Sequence, residues 1–200
     1  MPASFVSRLV RFPRYINDSA ESREYSKPLN DMRVLVYGFG PYKQFRDNIT
    51  QEIIKNLPQT DGLKKVVFPV RFDQKQFVRA LRRHRPDLVL GLGQSSRRNI
   101  QVEARALNRR RTQKADRSQP ISARGAKWLT TTLPIKPGRQ ARRSRNAGDY
   151  VCNYSMYIML AYIARAKMDI PFGFIHIPHD YEWRKAGRFV QRVLRQCRGW

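Results

Sequence analysis

Three side chains of this chain could together activate a nucleophile, although they lie far apart in the sequence. Cys152 directly precedes an apolar periodic run over residues 154–166, which predicts a thiol at the start of a helix. The positive end of a helix stabilises a thiolate, which is the reactive form of cysteine. His176 ends a run typical of a buried strand and could serve as the general base, with Glu103 as the carboxylate that orients its ring.

Each of these residues also has an ordinary structural interpretation. A free cysteine is commonly a small buried hydrophobe, so Cys152 alone would not indicate catalysis. Two further histidines could replace His176 as the base. His84 lies between arginines in a predicted basic helix, where we expect it to be solvated, and His179 follows a proline on a predicted surface turn. Neither offers a better general base.

Continuous apolar runs alternate with segments of helical spacing from residue 32 onward. Strands are predicted over residues 32–39, 64–70, 87–93, 99–108 and 172–177, and residues 127–133 are β-rich. Helices are predicted over residues 50–57 and 73–84, from near Cys152, and over residues 181–197. This alternation indicates an α/β fold of three layers, phosphorylase/hydrolase-like, in which helices cover both faces of a mostly parallel twisted sheet.

The ends of the predicted strands are where such folds bind ligands. Phe39, Gln94 and His176 all fall at such ends. The glycine pairs at residues 38–40 and 91–93 suggest phosphate loops, but neither continues as GxGxxG and no GKS or GKT follows. The glycines are better explained by tight strand-to-loop turns than by a nucleotide site.

Two parts of the chain differ in character. Residues 1–31 form a predicted N-terminal extension, and residues 32–200 form one domain. Arg8, Arg11 and Arg14 lie between apolar residues ahead of the first acid, which weakly resembles an organelle-targeting segment. An ordinary extension packed on the domain explains the pattern equally well.

The location of the protein follows from simple counts. No run of about 18 apolar residues exists, so we expect no membrane span. Cys152 and Cys197 follow neither a metal-ligand spacing nor a disulfide framework. We therefore expect a reducing, intracellular compartment such as the cytoplasm, and no metal site.

The charge of the chain is strongly positive. Forty basic against 15 acidic residues give a formal net charge of +25 and a pI near 11.1. Thirteen Lys or Arg fall between Arg105 and Arg145, where Asp116 is the only acid. A second set contains Arg184, Lys185, Arg188, Arg192, Arg195 and Arg198. This excess predicts attraction to polyanions such as nucleic acids, with a merely solvated basic surface as the alternative.

Several segments resemble, in order, those of pyroglutamyl-peptidase I, the cysteine pyrrolidone-carboxylate peptidases. Residues 147–153 (AGDYVCN) resemble the nucleophile motif AGTYVCN, and residues 174–178 (FIHIP) resemble the motif that bears the histidine. Residues 100–108 (IQVEARALN) resemble the ITxERVAIN segment that supplies the catalytic glutamate. Residues 34–42 resemble the opening strand and GFGPF-type loop, and residues 85–94 resemble the PD-strand-GQ segment. The resemblance runs from about residue 32 to residue 197.

The resemblance implies a cysteine omega-peptidase that removes N-terminal pyroglutamate (5-oxoproline) from peptides and needs no cofactor. It assigns the nucleophile to Cys152, the base to His176 and its orienting acid to Glu103. Members of this family often assemble as tetramers, so a homo-oligomer is an expectation of the same resemblance.

The resemblance also implies the residues that bind substrate. Phe39 and Tyr42 would line the flat pyroglutamyl pocket, and Gln94 would belong to the substrate-binding loop. The family's arginine close to the nucleophile, which helps to hold the oxyanion, falls on Arg111 when counted back from residues 119–120. It falls on Gln113 when counted forward from the glutamate.

Three departures separate this chain from the family pattern. Lys43 and Gln44 replace paired glycines after the loop aromatic, and Ile49 replaces a proline. Residues 137–146 are short and polar where the family places a helix and the start of a strand. We therefore expect the sheet to lack one covering helix or to have a truncated strand. The alternative function is a catalytically degenerate protein of this fold that binds nucleic acid or another polyanion.

Overall fold

The computed structural model describes residues 32–42 and 46–198 of the chain. The predicted extension over residues 1–31 and the replacements at Lys43 and Gln44 lie outside the described residues and stay predictions. The predicted homo-oligomer also stays a prediction, because the structure contains one chain. Within the described residues, no helix combines the length and the apolar character that crossing a membrane requires.

The described chain forms eight strands and four α-helices. The strands are β1 Val34–Phe39, β2 Leu63–Phe68, β3 Leu88–Ser95, β4 Ile100–Glu103, β5 Arg105–Leu107, β6 Trp128–Thr130, β7 Ala141–Ser144 and β8 Phe172–Pro178. The helices are α1 Ile49–Asn56, α2 Gln74–His84, α3 Val151–Arg165 and α4 Trp183–Arg198, with one 3₁₀ turn at Gly138–Gln140.

Six strands form one sheet in the order β2-β1-β3-β8-β4-β7. All neighbours are parallel except β4 and β8, which are antiparallel, and β5 and β6 form a separate antiparallel ribbon. One apolar cluster packs α1 and α4 on one face of the sheet, and a second packs α2 and α3 on the other. The predicted three-layer α/β fold is thereby confirmed.

The helix ends follow their capping residues. Asn48 Oδ1 accepts a hydrogen bond from the Thr50 N–H at 3.0 Å and begins α1, and Asp73 Oδ1 accepts from the Lys75 N–H at 2.8 Å and begins α2. At the other end of α2, Arg85 adopts a left-handed conformation with φ 43° and stops the helix before Pro86.

The single strand predicted over residues 99–108 is wrong in one respect, because the chain changes partners in its middle. The first half, β4, pairs with β7 and β8, whereas the second half, β5, pairs with β6. At Ala104 the N–H donates to the Ser144 carbonyl at 2.7 Å, while the carbonyl accepts from the Thr131 N–H at 3.0 Å. The alternation of apolar residues continues through this switch, so the pattern alone could not reveal it.

The short polar segment over residues 137–146 forms a 3₁₀ turn followed by a short strand. The 3₁₀ turn lies at Gly138–Gln140, and residues 137–146 contain no α-helix, as expected from their short polar sequence. The neighbouring strand survives as the four residues of β7, at the edge of the sheet.

The centre of the sheet is packed too tightly for one glycine to gain a side chain. The rings of Tyr37 and Phe174, with centroids 6.1 Å apart, meet over Gly91. A Cβ at this position would lie 2.6 Å from Cζ of Tyr37. Both rings belong to buried strand residues that cannot move far.

We predict that Gly91→Ala lowers the free energy of unfolding by about 1–3 kcal/mol, because the added methyl overpacks the core. The matched control is Gly187→Ala in α4, where a Cβ would meet nothing within 4 Å. This second change should raise the free energy of unfolding by up to about 1 kcal/mol, because alanine favours the helix more than glycine does. Urea denaturation measures both, and equal stability of the two variants would contradict the packing described.

Candidate active site

A buried histidine and a buried glutamate meet where β8 and β4 run antiparallel. His176 Nδ1 lies 2.8 Å from Oε1 of Glu103, and the relative exposures of the two residues are 6% and 0%. Burying a carboxylate is costly unless it is paired, so this contact fixes the orientation of the ring. With Nδ1 directed at Glu103, Nε2 is left to face another group.

The thiol of Cys152 approaches the same ring from the start of α3. A Cβ added to Gly93 would lie 2.8 Å from Cys152 Sγ and 2.8 Å from His176 Cδ2. The sulfur and Cδ2 are therefore no more than twice that distance apart. The Cys152 side chain is also hydrogen-bonded to His176, and because Nδ1 faces Glu103, Nε2 is the ring nitrogen left for the thiol. A glycine at position 93 leaves room for both groups.

The surroundings of His176 favour its charged form. Burial by itself opposes a charge on the ring, but interactions with Cys152 and Glu103 outweigh it and raise the pKa of His176 to about 9. The ring is consequently an imidazolium at neutral pH. Cys197 is the other free cysteine, and burial raises the pKa of its thiol to about 11.

The first turn of α3 leaves backbone donors beside the thiol. Tyr150 precedes the helix, and no side chain caps it there. The first N–H groups of an α-helix have no partner within the helix, so those at the start of α3 can bind an anion. Ser155 Oγ donates to the Cys152 carbonyl at 2.8 Å and lies 3.1 Å from the Tyr37 hydroxyl, which anchors this turn to β1.

Asn153 is a structural residue of the site that the sequence did not identify. Its side chain is fully buried and makes three hydrogen bonds of 2.8 Å, with the Leu107 N–H, the Leu107 carbonyl and the Arg109 carbonyl. These bonds hold the segment after β5 against the helix that carries Cys152. The available signal was a polar residue on an otherwise apolar stretch, directly after the cysteine.

Four arginines hold the loop that leads into Cys152. Two of them bind backbone carbonyls of this loop: Arg97 donates to the Asn146 carbonyl at 2.8 Å, and Arg105 to the Arg145 carbonyl at 2.9 Å. The other two bind side chains: Arg109 donates to Asn146 Oδ1 at 2.9 Å, and Arg111 pairs with Asp149 Oδ2 at 3.0 Å. The support that a covering helix would have given is thus supplied by guanidinium groups. The local sequence pattern does not predict these partners.

Arg111, predicted beside the oxyanion, has a different contact in the structure. Its guanidinium and its backbone N–H both bind Asp149, three residues before Cys152. Gln113, the other candidate, is exposed and donates its N–H to Asp116 at 2.8 Å. Neither side chain has a described contact with the thiol.

The predicted pocket aromatics separate into two environments. Phe39 is buried and packs edge-on against Tyr37 and Phe77, with centroids 6.0 and 6.5 Å away. Tyr42 is half-buried and packs at a tilt against Tyr150, with centroids 5.3 Å apart and a hydrogen bond between the two hydroxyls.

Two more aromatics extend the Tyr42–Tyr150 pair. Phe72 packs edge-on against Tyr150 and Tyr154, with centroids 5.2 Å away in both cases. Tyr150 lies two residues before Cys152, so the aromatic cluster of Tyr42, Phe72, Tyr150 and Tyr154 adjoins the start of α3. Of these four aromatics, only Tyr42 is predicted from the sequence to line the pocket.

Gln94 contacts the residue that replaces the family's proline. Its Oε1 accepts a hydrogen bond from the Ile49 N–H at 3.0 Å, a donor that proline lacks. The acceptor end of the amide is therefore occupied, and its NH₂ donor end is directed elsewhere.

The other two histidines have no described contact with Cys152 or Glu103. His179 is exposed, as predicted, and its backbone N–H donates to the Ser95 carbonyl at 2.9 Å. His84 is half-buried rather than fully solvated, and burial, followed by Arg83 and Lys64, lowers its pKa.

Comparison with known proteins identifies the family. The family described as pyroglutamyl peptidase matches residues 32–182. The pyrrolidone-carboxylate peptidase of Alkaliphilus oremlandii is 34% identical over 171 aligned positions, which cover 76% of this chain and 80% of that protein. The chain belongs to the pyroglutamyl peptidase family.

Solved structures of the family share the fold. A mutant pyrrolidone carboxyl peptidase from Pyrococcus furiosus superposes with a TM-score of 0.75 at 25% identity, covering 83% of this chain and 98% of that one. Pyroglutamyl peptidase I from Bacillus amyloliquefaciens gives a TM-score of 0.77 at 24% identity, covering 85% and 98%. The match therefore includes almost the whole of each family structure.

We predict that Asn153→Ala lowers the free energy of unfolding by at least about 2 kcal/mol, because it leaves backbone groups near β5 without partners. Asn56→Ala is the matched control. Asn56 is exposed, and its hydrogen bonds to Glu52 stay within α1. The control should change stability by no more than about 0.5 kcal/mol. Similar losses in both variants on chemical denaturation would refute the anchoring role of Asn153.

Proposed function

We propose that this protein is a cysteine peptidase that removes an N-terminal pyroglutamyl residue from peptides. The observation that carries the proposal is the 2.8 Å contact between His176 and Glu103, together with the hydrogen bond of the same ring with Cys152. Membership of the pyroglutamyl peptidase family supports the substrate class. The three side chains have the order of nucleophile, base and orienting acid that cysteine hydrolases require.

In the first half of the reaction, the Cys152 thiolate attacks the pyroglutamyl carbonyl carbon and forms an S–C bond. The charge that develops on the carbonyl oxygen is held by backbone N–H groups at the start of α3. The His176 imidazolium then protonates the leaving amine as the C–N bond breaks. The shortened peptide departs, and a thioester to Cys152 remains.

In the second half, water replaces the amine. The His176 ring, now neutral, takes a proton from a water molecule that attacks the thioester carbonyl. The S–C bond breaks, free pyroglutamic acid leaves, and the thiolate–imidazolium pair is restored. Glu103 remains a carboxylate throughout, stabilising the charged ring and holding its Nδ1 proton.

The substrate pocket follows from the same geometry. The lactam ring is flat and largely apolar, which suits the aromatic cluster of Tyr42, Phe72, Tyr150 and Tyr154. Phe39, at the carboxyl end of β1, supports this cluster from the core, because its buried ring packs on Phe77 and Phe77 packs on Tyr154. The free NH₂ of Gln94 is the donor that we assign to a carbonyl of the substrate, because its oxygen is already bound by Ile49.

Arg111 takes a supporting role in this proposal. Through Asp149 it fixes the loop that positions Cys152, so it contributes to the oxyanion site by holding the backbone in place. We also propose a reducing compartment such as the cytoplasm, because the nucleophile must stay a free thiol.

We predict that the reduced wild-type protein releases the fluorophore from a pyroglutamyl-aminomethylcoumarin substrate, and that Cys152→Ala lowers kcat by at least about 1000-fold. Cys197→Ala is the matched control and should keep kcat within about threefold, because that half-buried thiol has a raised pKa and stays protonated at neutral pH. A folded, reduced wild type without turnover, or an active Cys152→Ala variant, would contradict the proposed function.

A further inference from the structure

We infer that the outer surface of α4, together with the segment around β7, docks the phosphate backbone of a nucleic acid. This α4 basic surface consists of Lys136, Arg139, Arg143, Lys185, Arg188, Arg192 and Arg195. All are exposed except the half-buried Arg192. The surface lies on the face of the sheet covered by α1 and α4, whereas Cys152 and the His176 ring lie on the face covered by α3. It therefore does not rest on the proposed peptidase reaction.

The row of cations along α4 is straight and regularly spaced. Ala186, Phe189, Val190 and Val193 are buried against the sheet, which leaves the opposite side of the helix to charged residues. At 3.6 residues per turn, Lys185, Arg188, Arg192 and Arg195 fall within an arc of about 80°. The row is about 15 Å long at 1.5 Å per residue. Each strand of duplex DNA carries one phosphate per about 3.4 Å of axis, so the row can face about four phosphates.

The row continues from α4 onto the chain before β7. Arg192 Nη1 donates to Gln140 Oε1 at 2.8 Å, which joins the helix to the 3₁₀ turn. Arg143 extends toward the same side, since its Nη2 donates to the Ile135 carbonyl at 3.4 Å. The seven cations therefore form one continuous surface.

The structure divides the basic cluster that the sequence suggested. Successive residues of a strand point to opposite faces. Arg143 is in register with Val102, which belongs to the α1–α4 side, but Arg142 is in register with Gln101, opposite His176 on β8. Arg142 is consequently on the face of the sheet that carries His176 and is not part of the α4 basic surface.

Few acidic side chains lie close enough to neutralise the cations of this surface. The salt bridges described for its seven cations are those of Lys185 and Arg188 with Glu182, and both measure 4.0 Å. Exposed pairs of this length contribute little, so the positive potential remains. In the part of the chain that the structure describes, the three exposed arginines of α2 (Arg79, Arg82 and Arg83) also lack a salt bridge, because Asp73 pairs with Arg71 and Asp87 with Arg33.

The chemistry of the surface favours nucleic acid over a membrane or a protein. Interfacial membrane helices and protein hot spots both require exposed apolar anchors. Among the described residues, the exposed large apolar side chains are Val67 and Trp128, which lie on β2 and β6. A surface of cations without such anchors suits backbone phosphates, whose recognition is electrostatic and independent of sequence.

The test measures binding of the full chain to a fluorescein-labelled 20-bp DNA duplex of mixed sequence, by anisotropy between 50 and 200 mM NaCl. We expect log Kd to rise steeply with log salt. K185Q/R188Q/R195Q removes three phosphate contacts, so it should weaken binding at least about tenfold at 100 mM and reduce the slope by about 3. The Kd for a labelled single-stranded RNA of 20 nucleotides, measured in the same way, shows whether RNA or DNA is the preferred ligand.

The matched control is R79Q/R82Q/R83Q in α2, which removes the same number of charges from exposed positions on the other face. It should keep the affinity within about twofold. Equal losses in both triple variants would show that net charge alone drives binding and would overturn the proposal. It would also be overturned by absent or salt-independent binding, or by binding to phosphatidylserine vesicles without binding to DNA or RNA. Equal thermal stability of the variants and the wild type verifies that each remains folded.

Discussion

The hydrogen bond between His176 and Glu103 is the interaction on which the rest of the site depends. Glu103 has no solvent exposure, and its Oε2 has no hydrogen-bond partner among the described residues. A carboxylate in such a position is stable only beside a positive charge, and the imidazolium supplies it. The antiparallel pairing of β4 with β8, an exception in a parallel sheet, brings the two side chains together. Interactions with Cys152 and Glu103 together raise the pKa of His176, which prepares the ring to donate a proton.

The thiol is brought to this pair by backbone and polar contacts more than by apolar packing. Gly93 leaves room for sulfur and imidazole, and Asn153 ties the first turn of α3 to the chain after β5. The loop before Cys152 is held by four arginines that bind its carbonyls and side chains. Hydrogen bonds from guanidinium groups are directional, so they can hold a loop on which no helix packs. The basic composition of the chain thus has a structural use near the site, in addition to the electrostatic one proposed for α4.

Much of this could be predicted from the sequence, and the rest could not for identifiable reasons. The strands and helices follow from hydrophobic periodicity, and Cys152, His176 and Glu103 follow from residue type and family motifs. The division of residues 99–108 into β4 and β5 could not be predicted, since both halves alternate in the same way while their partners differ. The contact of Ile49 with Gln94 and that of Arg111 with Asp149 join residues more than 35 positions apart, and long side chains at such separations leave no local pattern.

The measurement that tests the central claim most directly is a pH titration of the His176 ring nitrogens by ¹⁵N NMR. A raised pKa means that the imidazolium is present at pH 7 and is lost as the pH rises through about 9. Glu103→Gln removes the negative charge that favours the proton, so the midpoint should move to lower pH. A wild-type ring that is already neutral at pH 7, or a midpoint unchanged in Glu103→Gln, would contradict the account.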